Sequence, residues 1–223
     1  NLFNTTGFRY FDAPGNSYSN TLWYEREDNG IIVPEYRIIE DREVQRLNRN
    51  FNTNLGMEYY INDNSSITGT AFLRLGEDED LTTNQSDRFD ENEAPIRSIT
   101  RTEQEKEEDQ SFQFALNYIN KFNDDGHQLT ADFQIERDEE KQNSFINENV
   151  HFDETDFVSE FSPERVFTDE IQNEYLIQAD YVLPFGEGSQ FEAGYRGNFE
   201  NTSTDYELLQ EENGNFIRSE RYS

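Results

Sequence analysis

The stretch YVLPFGEGSQFEAGYRGNF, Tyr181 to Phe199, sets an apolar residue at nearly every second position on both sides of a Gly-rich turn. Side chains alternate between the two faces of a strand, so this pattern predicts an antiparallel hairpin with one apolar face. The turn GEGS, Gly186 to Ser189, suits a tight connection because glycine reaches positive φ without steric cost. A strand rather than a helix follows it, so it has no helix N-terminus with which to cradle a phosphate.

The same pattern occurs twice earlier, at Phe51 to Leu75 and at Phe112 to Glu136. The turns NDNS, NDDG and GEGS begin at Asn62, Asn123 and Gly186, 61 and 63 residues apart, which points to one architectural unit used repeatedly. Sorted by parity, one face reads Phe51, Thr53, Leu55, Met57, Tyr59 and Ile61, then Ile67, Gly69, Ala71, Leu73 and Leu75. In the second copy it reads Phe112, Phe114, Leu116, Tyr118, Asn120 and Phe122, then Leu129, Ala131, Phe133 and Ile135. The third copy gives Tyr175, Ile177, Ala179, Tyr181, Leu183 and Phe185, then Phe191, Ala193, Tyr195, Gly197 and Phe199. No charge falls on that face in any copy, although 30% of the chain is charged, so the face is expected to lie against something apolar. Glu58, Arg74, Lys121, Asp132, Glu192 and Arg196 fall on the other face.

Composition alone argues against a fold. Of the 223 residues 33% are hydrophobic, the net charge is -30 and the mean hydropathy is -1.01, a combination usual for disordered chains. The 12 Tyr and 19 Phe oppose that reading, because aromatic side chains favour strands. Cysteine is absent, which removes disulfides and thiolate metal sites. So acidic a chain would be repelled by nucleic acid, which is not expected as a partner.

No apolar run is long enough for a spanning helix, but a spanning strand needs only about 9–11 residues with alternate ones apolar. Phe51 to Ile61 would extend roughly 36 Å, and a tilt of about 45° leaves roughly 25 Å across a bilayer. A soluble sandwich would bury such faces against each other, typically with Val, Ile and Leu. Here the aromatics Tyr59, Tyr118, Phe122, Tyr181, Phe185 and Phe191 cluster beside the turns, as in the girdle at a membrane interface. The expected fold is an all-β, antiparallel up-and-down transmembrane β-barrel. In hydrocarbon every backbone amide must be paired, which requires closure, so seven strands with an eighth in the tail predict a segment of a larger barrel. The opening NLFNTTGFRY has neither a basic n-region nor an apolar stretch of a signal peptide, so a mature chain or a piece of one is expected.

Within residues 1–223, the hairpins are expected at about 50–76, 111–137 and 174–200. The polar stretches between them, Glu77 to Asp109 with 13 acidic and 4 basic side chains and Arg137 to Gln172, are expected to form long loops. GEDED (Gly76–Asp80) and DRFDENE (Asp87–Glu93) could offer oxygens to Ca²⁺, but they lack the ligand spacing of an EF-hand and are read as solvated.

The stretch YLIQADYVLPFGEGSQFEAGYRGNFENTSTDYEL resembles the outer-membrane β-barrel family of TonB-dependent receptors in Bacteroidetes. Gln178, Ala179, Asp180, Tyr181 and Pro184, then Glu192, Ala193, Gly194, Tyr195 and Arg196, then Asp205 and Tyr206, follow its strand–turn–strand motif in order. The opening NLFNTTGFRYFDAPGNSYS is similar to an earlier strand and turn of such barrels. The resemblance implies a barrel in the bacterial outer membrane that surrounds a plug domain contacting TonB and takes up a nutrient or chelate.

No catalytic or nucleotide-binding motif is present, so no enzyme activity and no cofactor are expected. His127 and His151 are read as lone surface histidines. The lumen-facing Arg74, Lys121 and Arg196 are expected to pair with Glu58, Asp132 or Glu192. The expected partners are outer-membrane lipid, TonB through a plug domain and a surface lipoprotein. The alternative function is a non-transport surface β-protein or scaffold whose acidic loops bind a partner.

Overall fold

The computed structural model describes residues 1–26, 32–152, 157–160 and 163–219. Its strands are β1 (Leu2–Asp12), β2 (Gly15–Arg26), β3 (Ile32–Asn62), β4 (Ser65–Asp90), β5 (Pro95–Lys121), β6 (Gln128–Phe152), β7 (Phe157–Glu160), β8 (Glu164–Phe185), β9 (Ser189–Glu212) and β10 (Asn215–Arg218). All belong to one antiparallel sheet, in the order β1-β3-β4-β5-β6-β8-β9-β10, with β2 also on β3 and β7 also on β6. Thus β1 and β2 run as one interrupted strand along β3, and β7 and β8 run likewise along β6. Pro14 and Pro163 sit at the two interruptions, where a residue without an N–H cannot extend the ladder. The meander therefore has seven long strands and the start of an eighth, and among the described residues the sheet is open.

Register fuses the three apolar hairpin faces into one belt. Met57 pairs with Gly69, Gly69 with Leu116, Leu116 with Phe133, Phe133 with Ile177 and Ile177 with Gly197. Leu55, Ala71, Phe114, Ile135, Tyr175 and Phe199 form the adjacent row. A slip of one residue would turn every one of these side chains to the polar face, so the pattern itself holds the register. Leu2 and Phe8 of β1 join the belt opposite Met57 and Phe51.

Among the described residues no second layer covers the belt. The chain exposes 15620 Å², against roughly 10,600 Å² for a compact globular chain of this mass. Among the described residues, the apolar side chains that are buried are Val44, Val150 and Leu208. Leu55 and Met57 are each 55% exposed, which in water would forfeit the stabilisation that a sandwich obtains by joining two such faces.

The polar segments expected as loops are strand. Glu77 to Asp90 continues β4, Pro95 to Asp109 opens β5, Arg137 to Phe152 completes β6, and Glu164 onward is β8. GEDED is accordingly strand, and DRFDENE runs from strand into the turn after Asp90. Glu, Gln, Lys and Asp have poor strand propensity, but both neighbouring strands offer an unbroken ladder, and pairing overrides propensity. The β4–β5 connection, Glu91 to Ala94, is short, and Asp90 Oδ1 closes it by accepting from the N–H groups of Asn92 and Ala94, each at 2.8 Å. The two ends of the sheet therefore differ by how far the strands run past the belt. At the opposite end Gly186 and Gly188 turn the chain with φ of 64° and 79°.

Candidate functional site: the inner face

Every residue that does not face the belt side projects to the other side of the sheet, the inner face. Glu58, Thr68, Asn117, Asp132, Gln178 and Arg196 stand in one cross-strand row there, and Lys121, Gln128, Val182 and Glu192 in another. Arg74 pairs in register with Asn52 and Ser111 on the same face. Parity thus brings all six lumen-facing charges to one side of the sheet. None of the expected ion pairs between them forms among the described residues. Asp132 instead accepts from Asn117 Nδ2 at 2.7 Å, Glu58 from Asn1 Nδ2 at 2.8 Å, and Glu192 from Gln190. The basic side chains stand too many strands or residues away, whereas amides beside each acid reach it directly.

The interface aromatics follow the turn end of the belt. Tyr59 and Tyr118 flank Ile67 in one row, Tyr181 lies opposite Leu129, and Phe191 opposite Leu183. Phe185 closes β8, and Phe122 follows directly on β5, each beside a turn. His127 is not a lone histidine. Its Nε2 lies 2.7 Å from the Tyr181 hydroxyl, and its ring is 4.4 Å from that of Phe122. His151 lies in β6 rather than in a loop. At the other border Phe8, Phe51 and Leu75 form the last apolar row, beyond which the outer face turns ionic.

That ionic border has cations and acids interleaved. Glu77 lies 3.0 Å from Arg49 and 3.1 Å from Lys106, Lys106 is 3.2 Å from Glu108, and Glu139 is 2.7 Å from Lys141 and 3.3 Å from Arg137. Hydrogen bonds from Lys106 and Arg49 hold the Glu77 carboxyl below the usual range. Across the same strands the inner face carries Glu103, Glu105, Glu107 and Asp109 at every second position of β5, with Asp78, Asp80 and Glu140 alongside. Arg46 approaches Asp80 at 3.7 Å and Arg101 approaches Glu103 at 3.5 Å, while Asn48 donates to Asp78 and Ser144 to Glu105. Partial burial, then the neighbouring Glu140, Asp109, Asp78 and Glu105, push the Glu107 carboxyl up to about 7.

Asp78, Glu107 and Asp109 bring one carboxylate oxygen each within 4.8 Å of one another, the grouping among the described residues that could offer three oxygens to a cation. Reading residues 77–109 as loop hid this ladder. Its signal was the i, i+2 spacing of the four acids, the same parity that revealed the belt.

Nearer the rim the inner face changes sign. Arg42, Asn84 and Arg101 occupy one cross-strand row, with Ser17 at its edge, and Trp23 stacks on Tyr36 with ring centroids 5.7 Å apart. The Arg88 guanidinium lies 3.8 Å from the centre of the Tyr36 ring.

An apolar band on one face of an antiparallel meander, with a polar opposite face, is the division required of a wall between lipid and an aqueous interior. Residues 120–223, which span β6 to β10, match the model of the outer membrane protein beta-barrel family. No curated protein matches the chain. The fold is that of an up-and-down outer-membrane β-barrel wall, and its location is the bacterial outer membrane.

Proposed function

We propose that this chain forms part of the wall of a TonB-dependent receptor that takes up a nutrient or chelate through the outer membrane of a Bacteroidetes bacterium. The observation that carries the reading is the inner face. It is predominantly polar, ordered from arginines and aromatics near the rim to a carboxylate ladder deeper in, as suits a surface that meets a hydrated solute. The motif running from Gln178 to Tyr206 supports the receptor type. The residues bind and guide, and no bond is made or broken by them.

In such a receptor the strands supply the passage, and a plug domain engaged by TonB supplies the gate. The test is growth or uptake of candidate solutes by cells lacking the gene, compared with cells lacking TonB. Loss of the same solute in both strains supports the reading, and undiminished uptake in the TonB-deficient strain overturns it.

A further inference from the structure

The geometry assigns to the rim end of the inner face a binding site for a hydroxylated carboxylate, that is, a sugar acid. A cleft of about 450 Å³ lies over β2 to β5 between Arg42 and Arg101, a volume within the usual range for small-ligand sites. The two arginines flank Asn84, and adjacent strands stand about 4.8 Å apart, so guanidinium, amide and guanidinium present N–H donors along one line.

Acidic side chains outnumber basic ones 48 to 18, so acidic partners for a cation are plentiful. Arg42 has none among the described residues, and Arg101 has only Glu103, at 3.5 Å. Their forks are therefore available to a carboxylate in a charge-assisted pair.

The rest of the lining chooses among carboxylates. Ser17 and Thr82 bring hydroxyls that both donate and accept, as ligand hydroxyls do; Ser19 donates to Glu40 at 3.1 Å, and Glu40 and Glu103 keep further oxygen lone pairs that accept. On the same face toward the rim, Trp23 is 49% exposed although stacked on Tyr36, and so offers a ring face to the C–H side of a sugar ring. The site requires a water-accessible inner face and does not require energised uptake, so it stands or falls separately from the TonB reading.

The test is equilibrium titration calorimetry on the full chain, extracted from outer membranes in detergent, with D-glucuronate, glucose and inorganic phosphate as probes. Glucuronate should bind at least about tenfold more tightly than either of the others. The double variant Arg42→Gln/Arg101→Gln should lose at least about tenfold in glucuronate affinity, Arg42→Lys/Arg101→Lys should lose less, and Arg9→Gln, on the same face outside the cleft, should lose nothing. Circular dichroism checks folding, and if the double variant does not fold, Asn84→Leu should weaken glucuronate on its own. Equal binding of glucuronate and glucose, phosphate binding as tightly as glucuronate, or full affinity in the folded arginine or Asn84 variants would each overturn the assignment.

Discussion

Glu77 Oε1 and Lys106 Nζ meet 3.1 Å apart across β4 and β5 on the outer face, while the next residue along, Glu107, turns inward among acids. Two neighbouring strands thus place the carboxylates of Glu77 and Glu107 on opposite faces, in opposite electrostatic surroundings. The contrast predicts opposite pH signatures. Glu77 has a lowered folded pKa, so its contribution is present above the unfolded value of 4.5 and is lost as pH falls through the folded one. Glu107 is raised from 4.5 to about 7, so the folded state binds its proton more tightly and stability falls as pH rises across that interval. Glu107→Gln should melt higher than the parent at pH 8 and equal to it at pH 4. Glu77→Gln should melt slightly lower at pH 8, with the gap closing near pH 3. Thermal melts followed by circular dichroism in detergent at each pH decide both.

Ala179 and Leu116 sit in the belt, and Asn117 points to the inner face from the strand position beside Leu116. Arginine at Ala179 or Leu116 should cost about 2–4 kcal/mol if near the bilayer midplane, and at Asn117 much less. Denaturant unfolding in lipid vesicles gives the comparison. Equal losses at all three positions would show that the belt does not face lipid.

Phe3 lies directly over Gly56, its cross-strand partner on the inner face, and a Cβ built on Gly56 would stand 1.9 Å from the Phe3 ring. An aromatic ring laid over a glycine shields backbone that the glycine leaves bare. Gly56→Val must displace the ring and should destabilise the pairing of β1 with β3 by about 1–3 kcal/mol. Hydrogen exchange should rise in Leu2 to Asp12 ahead of the rest of the sheet.

The Tyr181 hydroxyl and His127 Nε2, 2.7 Å apart, join the β5–β6 turn to β8. Tyr181→Phe keeps the ring contacts and removes only this bond, at a cost of about 0.5–1.5 kcal/mol. Chemical unfolding of the variant and parent measures it, with His127→Phe as the reciprocal check.

The alternation at Phe51–Ile61, Phe112–Phe122 and Tyr181–Phe199 was enough to determine strand, face and lipid-facing belt, because one side of each strand excludes charge and a period of two admits no other placement. The eighth strand expected in the tail begins at Asn215, after Asn213 and Gly214 turn with φ of 53° and 81°, the conformation of a tight hairpin. Only the tertiary structure decided that Glu77 to Asp109 is strand. Its residues have little propensity of their own, and what holds them extended is the ladder offered by β3 and β6 on either side. Because that pairing is non-local, the ionic border and the arginine row at the rim took shape only with the neighbouring strands in place, and so did the meaning of the i, i+2 spacing of Glu103, Glu105, Glu107 and Asp109.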